Sequence, residues 1–480
     1  MIRLLDRPWV AASSAAAVAA AVRLPGVFTQ ALSQDEVASA RILSEPSLAA
    51  MLGRVARTES TPPLWYTLGW LMHRAGTPLT DVRLVSVLAG CGLAATVVAV
   101  GCRVLPSGCA LVAGLLVAVG DEFVVHGNEL RAYELLAFLT AFFVWLLLRE
   151  LAAPGRRNEI AIAGLVAAGG LTHYFFALAA VCALAWALLD PVAQPVRRRV
   201  SVAIVSGGML AAVWAPVMFA QYRRDRFWWI GPFQLRQVVA VPTRLFATAL
   251  AGSPSGLALS VTGFALVCLG CVRLARVGAP GRLIVAFAVG PLMGSAALWA
   301  AGVHVFALRN LIGVGPSIAL VVGSVVAGVA ERGGVVVASA AAGAALALPF
   351  GGTAAPAPPF GAIAHALVAE GWRPSDPLAV FGNVFVYRAP LGWYLPGSPL
   401  LDAARPSARR CRTVFVVADR LLPGRLIGRL VRRTSSRGYV VARLALAPAW
   451  RFHGAAILDD PAVVSGCVRP IRTGRLAPVS

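Results

Sequence analysis

The chain has 480 residues, of which 58% are hydrophobic and only 13% charged, with a mean hydropathy of +0.76. Soluble domains carry about a quarter charged residues, so half that level in long apolar runs excludes an ordinary soluble enzyme and makes lipid the solvent. The net charge of +22 comes from arginine alone, since the sequence has no lysine, and most arginines stand at the ends of apolar runs, which excludes a nucleic-acid-binding protein.

In chain order, Arg3 and Arg7 precede a first apolar run at 9–27. It resembles a secretory signal, but no cleavage site stands out and many runs follow, so it reads as a retained first helix. Further candidate spans lie at 84–102, 108–125, 132–148, 159–173, 174–190, 200–220, 256–274, 283–302, 306–329 and 334–350, eleven in all. Short cytoplasmic loops concentrate arginine. With the N-terminus inside, Arg103, Arg149, Arg156, Arg157, Arg197–Arg199, Arg273, Arg276, Arg282 and Arg332 all fall inside, and an odd number of spans leaves the tail outside.

Two long loops are expected outside. The segment 28–83 is polar, and 221–255 opens with Arg223, Arg224 and Arg226 beside Phe227, Trp228 and Trp229. Aromatics next to arginines fit a headgroup-level helix, read either as a plain anchor or as a lip for an anionic lipid. After about residue 355 the pattern changes. The proline-rich 355–359 reads as a linker, Ile363–Ala369 as a helix, and Leu378–Val386, Val414–Ala418, Tyr439–Leu444 and Ala455–Leu458 as strands. The expected architecture is an all-α transmembrane module, 1–354, followed by a small α/β extracytoplasmic domain with a basic tail, 355–480.

The cysteines carry little. Cys268 and Cys271 form a CxxC inside an apolar run without a second pair or a histidine, which argues against a metal site. Cys411 and Cys467 lie in the tail and could pair if it is extracytoplasmic.

The candidate chemistry lies in the outer loops. Asp35 and Glu36 are adjacent acids beyond the first span, able to act as a general base or to hold a divalent cation, or simply to cap a helix after Ser33. Glu59 opens the run Glu59-Ser60-Thr61-Pro62-Pro63-Leu64-Trp65-Tyr66, whose two prolines fix an extended entry to an interfacial helix at 64–73. Glu129, Arg131, Tyr133 and Glu134 stand at the mouth of a span, where an arginine needs a partner or must snorkel. Thr172, His173 and Tyr174 lie where two spans meet, and His304, Arg309 and Asn310 lie between two later ones. Under one topology all these residues reach the same face. A base that deprotonates an acceptor hydroxyl and arginines that neutralise a leaving phosphate are what sugar transfer from a lipid phosphate requires. No P-loop or GxGxxG is present to bind a nucleotide.

The order Asp35-Glu36, Thr61-Pro62-Pro63-Leu64-Trp65-Tyr66 and Arg83-Leu84 resembles the start of the GT-C glycosyltransferases and, within them, the protein-mannosyltransferase-like group called glycosyltransferase family 39. Glu129-Leu130-Arg131-Ala132-Tyr133, Thr172-His173-Tyr174 and Arg309-Asn310 resemble its later blocks, so the likeness covers roughly residues 10 to 330. The resemblance implies an inverting transferase of the bacterial inner membrane with an extracytoplasmic site. Its donor would be a polyprenyl-phosphate sugar, hexose or pentose, mannose among them. Asp35 would be the base with Glu36 second, Arg131 and Arg309 would hold the donor phosphate, and Glu59, Tyr133, His173, Tyr174 and His304 would line the substrate pocket. The acceptor could be a lipid, a glycan or a protein. Relatives often have tyrosine where this chain has Asn310. The reading from another class is a transporter or flippase of envelope precursors, although the sequence shows no matched halves.

Overall fold

The computed structural model describes residues 7–224, 230–248 and 255–347, together with 360, 364, 368, 373–374, 378–381, 384–396, 400–402, 414–418, 441–442 and 455–458. By its contacts the chain forms two compact units, Met1–Thr29 with Ser39–Ala354 and Gln30–Ala38 with Ala355–Ser480.

The first unit is helical, as expected where the surrounding medium offers the backbone no hydrogen bonds. In chain order it contains α1 (Pro8–Thr29), most of α2 (Gln34–Leu43), α3 (Leu48–Thr58), α4 (Leu64–Arg74) and α5 (Leu84–Gly101). Next come α6 (Ser107–Val119), α7 (Asp121–Gly127), α8 (Tyr133–Ala152), α9 (Arg156–Thr172), α10 (Phe176–Leu189), α11 (Arg197–Ala211) and α12 (Ala215–Tyr222). The series ends with α13 (Leu235–Phe246), α14 (Gly256–Ala275), α15 (Ala279–Ala300), a 3-10 turn at Leu308–Val314 and α16 (Gly315–Ala347).

Among the described residues, seven helical stretches are long and apolar enough to cross a membrane, or eight if α6 and α7, bent by 55° at Gly120, make one span. The chain is a multi-pass membrane protein. The expectation of eleven spans is not met, for two physical reasons. The runs at 159–173 and 174–190 become α9 and α10, of 17 and 14 residues, short of the roughly 20 that a bilayer core demands. The runs at 306–329 and 334–350 are not separate, because Glu331-Arg332-Gly333-Gly334 lies inside the single helix α16 and does not break it. Residues 225–229, with Arg226 and the Phe227-Trp228-Trp229 cluster, lie outside the described residues, as do the 355–359 linker, Cys411 and Cys467, most of Ile363–Ala369 and the end of the basic tail.

Helix α5 packs against α1, α6 and α8, while α16 packs on α6 and α14, and α9 on α11. At Gly207 the α9–α11 crossing leaves no room for a side chain, since a Cβ there would stand 2.3 Å from the Ala163 carbonyl oxygen. Small residues at such crossings let helices approach where no hydrophobic drive separates helix from lipid. In the bundle interior, Arg23 of α1 and Glu134 of α8 form a fully buried ion pair at 3.1 Å. The same guanidinium donates to the Val117 and Ala118 carbonyls of α6, at 3.1 and 2.7 Å.

Polar contacts sort into two sets that follow the arginine rule. Glu159–Arg199, Asp190–Arg282 and Arg273–Glu331 each join two segments that the rule places inside. Glu59–Arg131, Tyr174–Gln221 and Asp121–Thr248 each join two segments it places outside.

The second unit contains the start of α2, with Asp35 and Glu36 in its first turn, and later a helix α17 (Val384–Tyr394). Its strands are β1 (Leu378–Phe381), β2 (Leu400–Asp402), β3 (Val414–Ala418), β4 (Val441–Ala442) and β5 (Ala455–Leu458). They pair in the order β2-β1-β3-β5-β4, with β1 parallel to both neighbours and β5 antiparallel to both of its own. Parallel neighbours need a crossover, and α17 supplies the one from β1 to β2. The strand expected to reach Val386 therefore stops at Phe381, and the chain turns helical at Val384. The Leu32 amide donates to Tyr394 Oη at 3.0 Å.

Candidate active site

The loop 128–132 between α7 and α8 carries the central residues. It is pinned to α5 by the Ser86 hydroxyl, which donates to the Glu129 and Arg131 carbonyls at 2.8 and 3.3 Å. Pro62 and Pro63 set the entry to α4, which starts at Leu64 and so presents Tyr66 from its first turn. The 3-10 turn that bears Arg309 is fixed by Asn310, whose side-chain amide donates to the Val305 carbonyl at 3.1 Å.

Arg131 Nη1 donates to Ser39 Oγ at 3.3 Å, to Glu59 Oε2 at 3.2 Å and to Tyr66 Oη at 3.0 Å, and all four residues are buried. The Arg131 and Arg309 guanidinium carbons stand 5.7 and 5.8 Å from the Tyr133 ring centre, within cation–π range. The same ring meets His126 at 4.8 Å and His173 at 5.6 Å. Tyr133 is thus the hub of a cluster of two arginines and two histidines.

His173 occupies the break between α9 and α10. Its Nδ1 accepts from the Phe175 amide at 3.3 Å, which leaves the proton on Nε2. Burial, reinforced by Arg131 and Arg309, holds its imidazole down at about 3, so it is neutral at physiological pH. The Tyr66 phenol is pushed well above its ordinary range by burial, which outweighs the pull of Arg131, and it stays protonated. Tyr174 turns away from this cluster and donates from its hydroxyl to Gln221 Oε1 at 2.6 Å. His304 is exposed and does not line the cavity described next.

A cavity of about 500 Å³ opens beside the cluster, lined by Glu122, His126, Gln237, Arg244, Phe306 and Arg309 among others. Four of its polar residues, Glu122, His126, Gln237 and Arg244, escaped the sequence reading. Glu122, His126 and Glu129 form a clamp, with His126 Nε2 at 3.3 Å from Glu122 and Nδ1 at 2.7 Å from Glu129. The i,i+4 spacing of Glu122 and His126 on α7 was the available signal, with Glu129 just beyond the helix end. Arg244 lies on α13, whose buried Val238, Val241, Pro242 and Leu245 follow the period of a one-sided helix.

Asp35 and Glu36 belong to the second unit. Glu36 Oε2 accepts from the Ser33 amide at 2.9 Å, and Ser33 Oγ accepts from the Glu36 amide at 3.4 Å, a reciprocal helix cap that engages Glu36. Arg224, in the segment read either as a plain interfacial anchor or as a lip for an anionic lipid, donates to the Ala56 and Arg57 carbonyls at 2.7 and 2.8 Å, at the end of α3. Among the described residues, no group of three or more His, Cys, Asp or Glu side chains could hold a metal ion.

No protein-family model and no curated protein matches the sequence. Solved structures do. The chain is similar to ArnT from Cupriavidus metallidurans bound to undecaprenyl phosphate, with a TM-score of 0.52 and 14% identity over 92% of this chain and 96% of that one. It is similar to the Archaeoglobus fulgidus oligosaccharyltransferase with zinc and sulfate, at a TM-score of 0.50 and 13% identity over 93% of this chain and 73% of that one. AglB from the same organism, in complex with an inhibitory peptide and a dolichol-phosphate, gives 0.51 and 12% over 82% and 64%. At such identity the likeness is one of fold, the fold shared with ArnT and with the archaeal oligosaccharyltransferase.

Proposed function

We propose that the chain is an integral-membrane glycosyltransferase that moves a single sugar from a polyprenyl-phosphate carrier to a hydroxyl of an envelope acceptor. The observation that carries this reading is the Tyr133 cluster, with Arg131 and Arg309 against one ring beside a cavity of about 500 Å³, in a chain with the GT-C fold. Cationic groups set where negative charge grows stabilise a departing phosphate. Two neighbours of the same fold are described with a polyprenyl phosphate bound, which supports a carrier of that class.

In this reading the acceptor oxygen attacks the anomeric carbon from the side opposite the phosphate. Its proton passes to the Asp35 carboxylate while the carbon–oxygen bond to phosphate breaks, its electron pair leaving with the phosphate. The configuration inverts, and a carrier monophosphate is released. Asp35 is the base by its position just beyond the first span, with Glu36, whose carboxylate caps the start of α2, second. Arg131 and Arg309 supply positive charge at the phosphate. Neutral His173 offers an Nε2–H donor to a sugar hydroxyl. The site would face away from the cytoplasm, across the bacterial inner membrane, and 355–480 would form the small α/β extracytoplasmic domain.

A transporter or flippase is favoured by one feature, the α6–α7 pair broken by 55°. Envelope glycans of a deletion strain, complemented with wild type or Asp35→Asn, separate the two. An enzyme with Asp35 as base predicts that a sugar modification missing from the deletion strain returns with wild type but not with Asp35→Asn at equal protein level. Full restoration by Asp35→Asn would remove Asp35 as the base.

A further inference from the structure

Arg309 is not the only guanidinium on the cavity wall. Arg244 reaches it from α13, an amphipathic helix between the spans that end at Tyr222 and begin at Gly256, and Gln237 comes from two turns earlier on the same helix. Arg131, by contrast, directs its Nη1 to Ser39, Glu59 and Tyr66 and is not among the residues that line the space. The cavity also holds a carboxylate, Glu122, which would repel an anion if its charge were open. It is not: Glu122 Oε1 accepts from Thr248 Oγ1 at 3.0 Å and Oε2 faces His126 Nε2 at 3.3 Å. His126 is held on its other side by Glu129. The remaining wall at Ile230, Val241 and Phe306 is apolar, so a charge placed there is poorly screened by water.

We infer that Arg244 is a further ligand for the carrier phosphate, closing on it from α13 while Arg309 closes from the 3-10 turn. The inference rests on the reading of the chain as a polyprenyl-phosphate enzyme and adds a residue to its site. Two guanidinium forks from different elements can grip a phosphate monoester on separate oxygens, with the Gln237 amide as a further donor.

The test is equilibrium binding of undecaprenyl phosphate, and of the neutral alcohol undecaprenol, to the full chain in detergent micelles. Wild type is expected to prefer the phosphate. A hydrogen bond to a charged group contributes about 1.5–3 kcal/mol, so Arg244→Ala should weaken phosphate binding about ten- to hundredfold and leave the alcohol unaffected. Arg244→Lys should fall between the two. Arg236→Ala, on the same helix but exposed and bonded to Gln234, should bind like wild type. Arg244→Gln, which keeps the length and a donor, is the second variant if Arg244→Ala does not fold. Wild-type affinity in either neutral variant, with Arg309→Ala weakened, would overturn the inference and leave the enzyme reading standing. A wild type that binds phosphate and alcohol equally would overturn both.

Discussion

Arg131 has its carboxylate partner 72 residues earlier, in a loop on the far side of α5. The pair is buried, so removing one member leaves the other charged and unmatched, a loss of about 3–5 kcal/mol. Arg131→Ala should therefore lower the unfolding midpoint in detergent strongly. The double variant Arg131→Gln with Glu59→Gln should lose less than the sum of its singles, and simple additivity would deny the coupling. His173 gives the opposite kind of prediction. Its folded pKa of about 3 lies below the ordinary value of 6.5, so between the two the unfolded chain binds more protons and acid destabilises the fold. The His173 contribution is present above about pH 6.5 and is lost as pH falls toward about 3. Chain stability measured from pH 7 to pH 4 should fall less steeply for His173→Gln than for wild type, and parallel slopes would mean that His173 titrates normally. The sequence announced both residues, because an ionisable group next to an apolar run invites the question of what satisfies it. It could not announce their partners, since nothing local in Glu59 or Ser39 points to Arg131.

At the scale of elements, the apolar runs were legible because lipid imposes one simple demand, a helix of sufficient length. Where the structure departs from the reading, local chemistry had two outcomes. The polar stretch at Glu331–Gly334 looked like a loop yet contains no proline, and the helix continues through it. Gly120 looked like one residue among many in a span yet marks the bend between α6 and α7. That bend positions His126 and Glu122, and α13, too short and too polar to read as a span, contributes Arg244. Close packing was equally hidden. Gly207→Ala must push α9 and α11 apart, because its Cβ would meet the backbone oxygen of Ala163 rather than a movable side chain. Overpacking of this kind costs about 1–3 kcal/mol, so a fall in thermal midpoint is expected, and an unchanged midpoint would mean the crossing is looser than described. Gly164→Ala, with open space at its Cβ, is the control.

For the whole molecule, the arginine distribution and the polar contacts agree. Segments assigned to the inside pair with one another, as do segments assigned to the outside, and the Tyr133 cluster joins three segments of the second set, with Glu59 adding a fourth through Arg131. The sequence could place the cluster on one face because the rule for short loops is electrostatic and needs no tertiary structure. It could not supply the cavity, which exists only once α7, α13 and the 3-10 turn are brought together. The reading as a transferase depends on that face being away from the cytoplasm, where lipid-linked sugars are consumed without a nucleotide.

Single cysteines introduced into a cysteine-free chain, probed in intact cells with a membrane-impermeant thiol reagent, test that most directly. Cysteine at the exposed position 304 should label without permeabilisation. Cysteine at position 199, beside Glu159, should label only after the membrane is opened. Labelling of position 199 from outside, with position 304 protected, would put the Tyr133 cluster on the cytoplasmic side and contradict the account.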